Sequence, residues 1–300
     1  DVAPSRGLGD VYKRQAYTTP KNRYYKDKLL FDKIQKGLEY WHERNPWCHN
    51  WWYNQIGIPK TLGTVFILFE KQLTPVEKQN AITVMENAKF GMTGQNKVWL
   101  AGNVMMRALL QNDYELVKMA RDTIASEIVT GGTEGIKDDW CFHQHGAQQQ
   151  FGNYGLSFVS GMSFFSGLFS GTSLAFDDKQ LSILSTLIDK GYRWVIWKGM
   201  MDVNALGRQL FHHAPVHKAL SLAFAASELG GGESDECVAV ATALLRDNYP
   251  APAVNVLTGH KHFWQSDYTI HRRPSWMASI KMASDRIIGT EMMNGDNMKG

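Results

Sequence analysis

Apolar residues through most of the chain recur at steps of three and four. Residues 25–44 carry Leu29, Leu30, Ile34, Leu38 and Trp41 at those steps, which is one face of a helix. Residues 62–71 are apolar on nearly all faces and predict a helix buried on most sides. Thr74-Pro75-Val76-Glu77 opens another, with Thr74 as cap, Pro75 in the first turn and Glu77 placed to return a bond to the cap. Helices are predicted in the same way over 98–110, 114–129, 154–168, 179–197, 216–229 and 233–248. Glycines at 91 and 94, 131–132 and 230–232 punctuate them. The series predicts antiparallel helical hairpins stacked around an axis. No strict repeat accompanies it.

After Asn248 the texture changes. Pro250-Ala-Pro252 is a break, and residues 263–273, 276–283 and 286–293 are short, β-branched or alternating. They predict three strands of a sheet, with the boundary near residue 250. At the other end, Ser5–Gln15 resembles translated sequencing-adapter read-through, so residues 1–15 are expected to lie outside the fold. Both ends read as those of a fragment.

Composition narrows the function. At 44% hydrophobic residues, 300 residues can bury a sizeable core, and disorder is not expected. A net charge of +3 excludes a strongly basic nucleic-acid binder and leaves room for an anionic ligand met by a local basic cluster. No apolar run is long enough to predict a membrane span. Cys48, Cys141 and Cys237 are widely spaced and form no CxxC, so neither a zinc ribbon nor a disulfide framework is predicted. Most of the ten Trp residues are expected to fill a large helical core. Those not in the core are candidate stacking platforms for sugar rings.

Several segments carry candidate chemistry. Trp51 and Trp52 are adjacent and cannot both face one helical core, so one is free to line a groove, with Asn50 as a polar handle. They could equally anchor two different neighbours. Asn96, in Thr93-Gly94-Gln95-Asn96, is either a helix N-cap or an amide donor to a substrate carboxylate. The stretch 134–155 is long, polar, aromatic and glycine-bounded, a poor amphipathic helix and a good functional loop. Its His143 and His145 invite a zinc reading, but no acid or Cys recurs at ligand spacing. His145 with Tyr154 suggests acid/base work instead. Arg208, after Gly207, reads alone as a surface charge, and Arg286 with Glu291 and Asn294 as a solvated strand edge and a turn.

Together these segments resemble polysaccharide lyase family 8, of the hyaluronate, chondroitin AC and xanthan lyase type. The resemblance rests on Asn50-Trp51-Trp52, Thr93-Gly94-Gln95-Asn96, Gln144-His145-Gly146 with Tyr154-Gly155, Asn204 through Arg208, and Ser284-Asp285-Arg286 with Glu291 and Asn294-Gly295-Asp296-Asn297. It covers roughly residues 25–300, and the nine-residue step from His145 to Tyr154 fits this branch. It implies a mainly α fold, an incomplete α/α toroid over about 16–250, followed by the start of an antiparallel β-sandwich domain over 251–300. It implies Asn96, His145, Tyr154, Arg208 and Glu291 as the catalytic group. Asn50, Trp51, Trp52, Phe90, His212, Arg286 and Asn294 are implied as substrate contacts. His212 stands where some chondroitin AC lyases carry a second Arg, which puts sulfate recognition in question.

The implied reaction is β-elimination on an acidic, uronate-containing polysaccharide. Asn96, helped by His145, would hydrogen-bond the uronate carboxylate and favour an enolate-like intermediate. Tyr154 would take the C5 proton and return it to the leaving oxygen at C4, leaving a C4–C5 double bond. An ordinary phenol is a poor base near neutral pH, so a cation such as Arg208 must favour the phenolate. No cofactor is required, and a structural calcium elsewhere is left open. The expected protein is a secreted or periplasmic monomer, with neither nucleic acid nor membrane as partner. The competing reading is a non-catalytic glycan-binding protein using the same aromatic cleft. A hydrolase would need two opposed carboxylates, and Asp138 and Asp139 are adjacent.

Overall fold

The computed structural model describes residues 13–229 and 257–289. The chain divides into two compact units, Asp1–Met92 with Asn96–Ile124, and Thr93–Gln95 with Ala125–Gly300. The predicted helix over 233–248, the boundary near 250, Cys237, Glu291 and Asn294 lie outside the described residues.

The first unit is helical. Helix α1 (Lys28–Arg44) starts on Asp27, whose carboxylate accepts the Leu30 N–H, and ends on Asn45 in the left-handed conformation. A π-helical turn, Tyr53–Gly57, runs into α2 (Ile58–Leu68). Helix α3 (Pro75–Met85) has the predicted capping box: Thr74 Oγ1 accepts the Glu77 N–H, and Glu77 Oε2 accepts the Thr74 N–H at 2.7 Å. Helix α4 (Gly94–Gln111) begins four residues earlier than its apolar pattern, and α5 (Tyr114–Ala125) follows. Leu38, Val65, Phe66, Ala81, Ile82, Met85 and Leu110 form the buried cluster that α1 to α4 share. Burying such side chains contributes about 1.5–3 kcal/mol each. Against the expectation that residues 1–15 lie outside the fold, Arg14 is buried, its guanidinium 4.5 Å above the Phe69 ring.

The second unit mixes short hairpins with helices. The expected loop over 134–155 is partly ordered: β1 (Gly135–Ile136) pairs with β2 (Phe142–His143), and Phe151–Gly155 is a π-helical turn leading into α6 (Leu156–Phe169). Helix α7 (Asp178–Thr186) and a π-helical turn, Leu187–Tyr192, replace the single helix predicted over 179–197. The helix stops because Gly191 packs directly on the Trp140 carbonyl. Beyond it, Lys198 and Gly199, both at positive φ, turn β3 (Ile196–Trp197) back onto β4 (Met200–Met201). Helix α8 (Ala214–Leu229) packs on α6, where Ser163 Oγ donates to the Ala225 carbonyl at 2.8 Å.

Strands β5 (Gly259–Phe263), β6 (Tyr268–Arg273) and β7 (Trp276–Lys281) form an antiparallel sheet in that order. The single strand predicted over 263–273 is therefore two, divided by a turn through Trp264–Asp267. Phe263, Tyr268 and Ile270 turn one face inward. The described part of the strand predicted over 286–293, residues 286–289, is a turn and extended chain instead, because Ser284 and Arg286 both bond to Asp267. Among the described residues, no helix is long and apolar enough to cross a membrane.

Candidate active site

Tyr154 sits on the π-helical turn Phe151–Gly155, which is pressed against its surroundings. A Cβ on Gly152 would lie 2.8 Å from the Ala205 carbonyl and from Leu206 Cα, and one on Gly155 would lie 2.5 Å from Tyr192 Oη. Two successive carbonyls of the turn are held from outside it. Tyr192 Oη donates to Phe151 O at 3.0 Å, and Lys218 Nζ donates to Gly152 O. Burial pushes the Tyr192 phenol well up, so it stays a donor.

Because Gly152 lies directly on Ala205 and Leu206, the chain that follows brings Arg208 to Tyr154. Arg208 Nη2 donates to Tyr154 Oη at 3.3 Å, and its guanidinium is 5.4 Å from the ring centroid. His145 completes the group: its ring meets that of Tyr154 edge-on, with centroids 4.7 Å apart. His145 and Gly146 are both left-handed (φ 62° and 81°), an uncommon conformation for a histidine. Glu134 holds the loop on either side of it, accepting from Gln144 Nε2 and, at 3.0 Å, from the Gly146 N–H. The same carboxylate accepts from Thr93 Oγ1 at 2.5 Å, and Gln144 Oε1 accepts the Gln95 N–H at 2.9 Å.

Asn96 belongs to the first unit. It lies inside the first turn of α4 rather than capping it; it is buried, and its Oδ1 has no hydrogen-bond partner among the described residues. Asn96, Trp99 and Asn103 follow one another at the three- and four-residue steps of a single helix face. Trp99 meets Trp52 edge-on at 5.6 Å, and Asn103 Nδ2 donates to Ile56 O at 3.1 Å. Asn50 Oδ1 accepts the Trp52 N–H at 3.0 Å, starting the turn that presents both tryptophans. Trp51 is 42% exposed, whereas Trp52 is half-buried between Trp99 and Tyr53. Phe90 is half-buried too.

The remaining candidates divide. His212 is exposed, its ring tilted at 55° to that of His213 with centroids 3.7 Å apart. Arg286 is engaged by the buried carboxylate of Asp267, so its exposed guanidinium already has an anion. Ile288 N–H donates to Ala147 O at 2.9 Å, which lays the segment before Glu291 on the His145 loop. His143 and His145 part company: His143 Nε2 is 2.9 Å from Ser266 Oγ. Among the described residues, no three His, Cys, Asp or Glu side chains are grouped to hold a metal ion. Glu134, Tyr192 and Lys218 escaped the sequence reading. Lys218 alone left a trace there, as a lysine in step with the apolar residues of an alanine-rich helix.

Known proteins are similar to this chain in sequence and fold. Residues 12–227 match the model of the polysaccharide lyase family 8, N terminal alpha-helical domain, and residues 258–300 that of the family's super-sandwich domain. Chondroitinase-AC of Pedobacter heparinus is 29% identical over 95% of this chain and 42% of its own length. Hyaluronate lyase of Thermasporomyces composti is 27% identical over 85% of this chain and 37% of its own. The chain thus spans less than half the length of these relatives. A solved chondroitinase AC lyase, described in complexes with oligosaccharides, superposes with a TM-score of 0.83 over 97% of this chain and 44% of that one, at 27% identity. The mainly α fold with antiparallel strands following, as read from the sequence, is the fold of that enzyme. By its helical domain and the strands that follow, the chain belongs to polysaccharide lyase family 8.

Proposed function

We propose that the chain is the catalytic helical part, over about 16–250, and the first strands of a secreted lyase that cleaves an acidic, uronate-containing polysaccharide by β-elimination. The observation that carries this reading is the phenol oxygen of Tyr154 within 3.3 Å of the Arg208 guanidinium, with the His145 ring against it. At that distance the guanidinium donates a hydrogen bond to the phenol oxygen, the atom that in this reading takes the proton from C5. The same oxygen, once protonated, supplies the proton to the oxygen leaving C4. His145 hydrogen-bonds the uronate carboxylate, where negative charge builds up as C5 loses its proton, and Asn96 is the amide that the family resemblance adds to that role. Glu291, outside the described residues, is the further member of the group that the family resemblance implies. Trp51, Trp52 and Phe90 stack on sugar faces. The elimination consumes no water and needs no redox group. The relatives' names point to chondroitin and hyaluronan as the first substrates to test, with xanthan as a third.

The test is the absorbance of the unsaturated product on hyaluronan, chondroitin sulfates and xanthan, for the unaltered protein and Tyr154→Phe. Tyr154→Phe keeps the ring, so folding should hold while turnover falls by a factor of about 1,000 or more. Near-normal turnover by Tyr154→Phe would remove Tyr154 as base and acid and leave His145 as the candidate. Binding without turnover by the unaltered protein would favour a glycan-binding protein with the same cleft.

A further inference from the structure

We propose that Lys218 is a positioning residue for the Tyr154–Arg208 pair, tying the turn that carries Tyr154 to the segment that carries Arg208. The proposal rests on the reading of Tyr154 as acid and base. Lys218 Nζ donates to Gly152 O, two residues before Tyr154, and to Gln209 Oε1 at 2.6 Å, one residue after Arg208. One ammonium therefore links the backbone carbonyl of the turn carrying Tyr154 to the side-chain amide next to Arg208, the two residues whose side chains meet at 3.3 Å.

The location is costly for a lysine. Lys218 lies on the buried stripe of α8 with Ala214, Leu222 and Ala225, and only 4% of it is exposed. A charge there needs partners to offset its lost hydration. It has the Gly152 carbonyl, the Gln209 amide and the Phe211 ring at 5.8 Å. Burial nevertheless draws its pKa down to about 8. An apolar residue in step with the rest of the stripe would pack as well and would leave the Gly152 carbonyl without this donor. What the lysine adds is the bridge.

The rest of the turn leaves little slack. Gly152 already touches Ala205 and Leu206, and Tyr192 holds the neighbouring carbonyl. Losing the ammonium frees the Gly152 end of the turn and the Gln209 end of the loop together. A displacement of about 1 Å at a reacting group can cost about 100-fold in rate. The damage should appear in the chemical step, because the two partners of Lys218 lie within two residues of Tyr154 and Arg208 in the chain.

The experiment compares Lys218→Met, Lys218→Arg and Gln209→Ala in the full chain, each also combined with Tyr154→Phe. Turnover is followed by product absorbance on chondroitin sulfate and hyaluronan, and folding by thermal unfolding. The geometry is followed by the NMR signal of ζ-carbon-labelled Tyr154, assigned by its loss in Tyr154→Phe. Lys218→Met should lower kcat about 100-fold with KM within about threefold, and should move the Tyr154 signal. Lys218→Arg should recover about tenfold of that loss. In the Tyr154→Phe background Lys218→Met should cost no more than about threefold further, since it acts through the phenol. Gln209 is exposed, so Gln209→Ala should fold normally, lose about tenfold in kcat and shift the same signal. A folded Lys218→Met with kcat within threefold, an undisturbed Tyr154 signal, or an equal loss in the Tyr154→Phe background would overturn the proposal. If Lys218→Met does not fold, Gln209→Ala decides by the same readings. If the unaltered protein makes no unsaturated product, the lyase reading fails, and the Tyr154 signal alone decides the role of Lys218.

Discussion

The side-chain oxygen of Gln144 stands where a Cβ on Gly94 would have to go, and from there accepts the Gln95 N–H at 2.9 Å. Gly94 has φ 59°, and its N–H donates to Glu127 Oε2 at 2.7 Å. Gly94→Ala would add a left-handed alanine, at about 1 kcal/mol, and a displaced buried amide, at about 1–3 kcal/mol. Denaturant unfolding should show about 2–4 kcal/mol lost at an unchanged m-value. Gly91 is the control. A Cβ there meets nothing within 4 Å, so Gly91→Ala should stay within about 0.5 kcal/mol of the unaltered protein.

His145 tests whether its loop is held under strain. Its φ of 62° suits glycine, and Glu134 secures the residues on both sides. His145→Ala and His145→Gly both remove the ring that meets Tyr154, so both should lose turnover. They differ in backbone freedom, and His145→Gly should be the more stable by about 1 kcal/mol. Equal unfolding midpoints would show that the loop relaxes out of the left-handed region once the ring is gone.

What could be read in advance follows from how local each signal is. The α1 stripe and the Thr74–Glu77 capping box depend on residues within one or two turns, and both stand where the pattern puts them. The helix predicted over 179–197 failed because its stop is a tertiary event, the Trp140 carbonyl pressing on Gly191. Apolar spacing cannot register that. Asn96 was left between cap and ligand because its helix starts at Gly94, where the N–H groups of Gly94 and Gln95 bond to Glu127 and Gln144, far away in the chain. The same distance hid Glu134 and Tyr192, whose work is to hold other residues' backbones. Tyr154 and His145 were legible as acid/base candidates in a polar, aromatic loop, and their nine-residue step fitted the family; nothing in their own segment requires the rings to meet.

The adjacent tryptophans should separate in experiment. Trp51 is the more exposed, while Trp52 packs edge-on against Trp99 and Tyr53 and abuts Gly57, where a Cβ would be 2.8 Å from its ring. Trp51→Ala should change stability by less than about 0.5 kcal/mol, so any loss of polysaccharide affinity can be assigned to contact. Trp52→Ala should cost about 2–3 kcal/mol, because a half-buried ring loses two aromatic neighbours. Urea unfolding of both, beside binding isotherms on the same polysaccharide, checks the split. Equal stability losses would place both rings in the core.

His143 makes the stability of the second unit depend on pH. Its ring is 2% exposed, its Nε2 is 2.9 Å from Ser266 Oγ, and Ser266 Oγ donates to Cys141 Sγ at 3.0 Å. Burial first, and then the Lys137 cation, bring its pKa down from 6.5 to about 4, against a weaker opposite pull from Asp139. A histidine lowered on folding is neutral in the native state. Above about pH 6.5 neither state binds the proton, and this group leaves stability flat. As pH falls from about 6.5 to about 4, the unfolded chain takes up a proton that the native state refuses, so stability drops by about 1.4 kcal/mol per unit and about 3 kcal/mol in all. Below about pH 4 both states are protonated and the loss stops growing. His143→Gln retains a hydrogen-bonding group toward Ser266 but cannot titrate. It should be somewhat less stable than the unaltered protein at pH 7, where a well-fitted bond is lost, and should close that gap on acidification. Guanidinium unfolding of both proteins at pH 7, 5.5 and 4.5 measures the difference between two slopes, in which the carboxylates common to both cancel. Parallel slopes would mean that the His143 ring is protonated, or hydrated, within the folded protein.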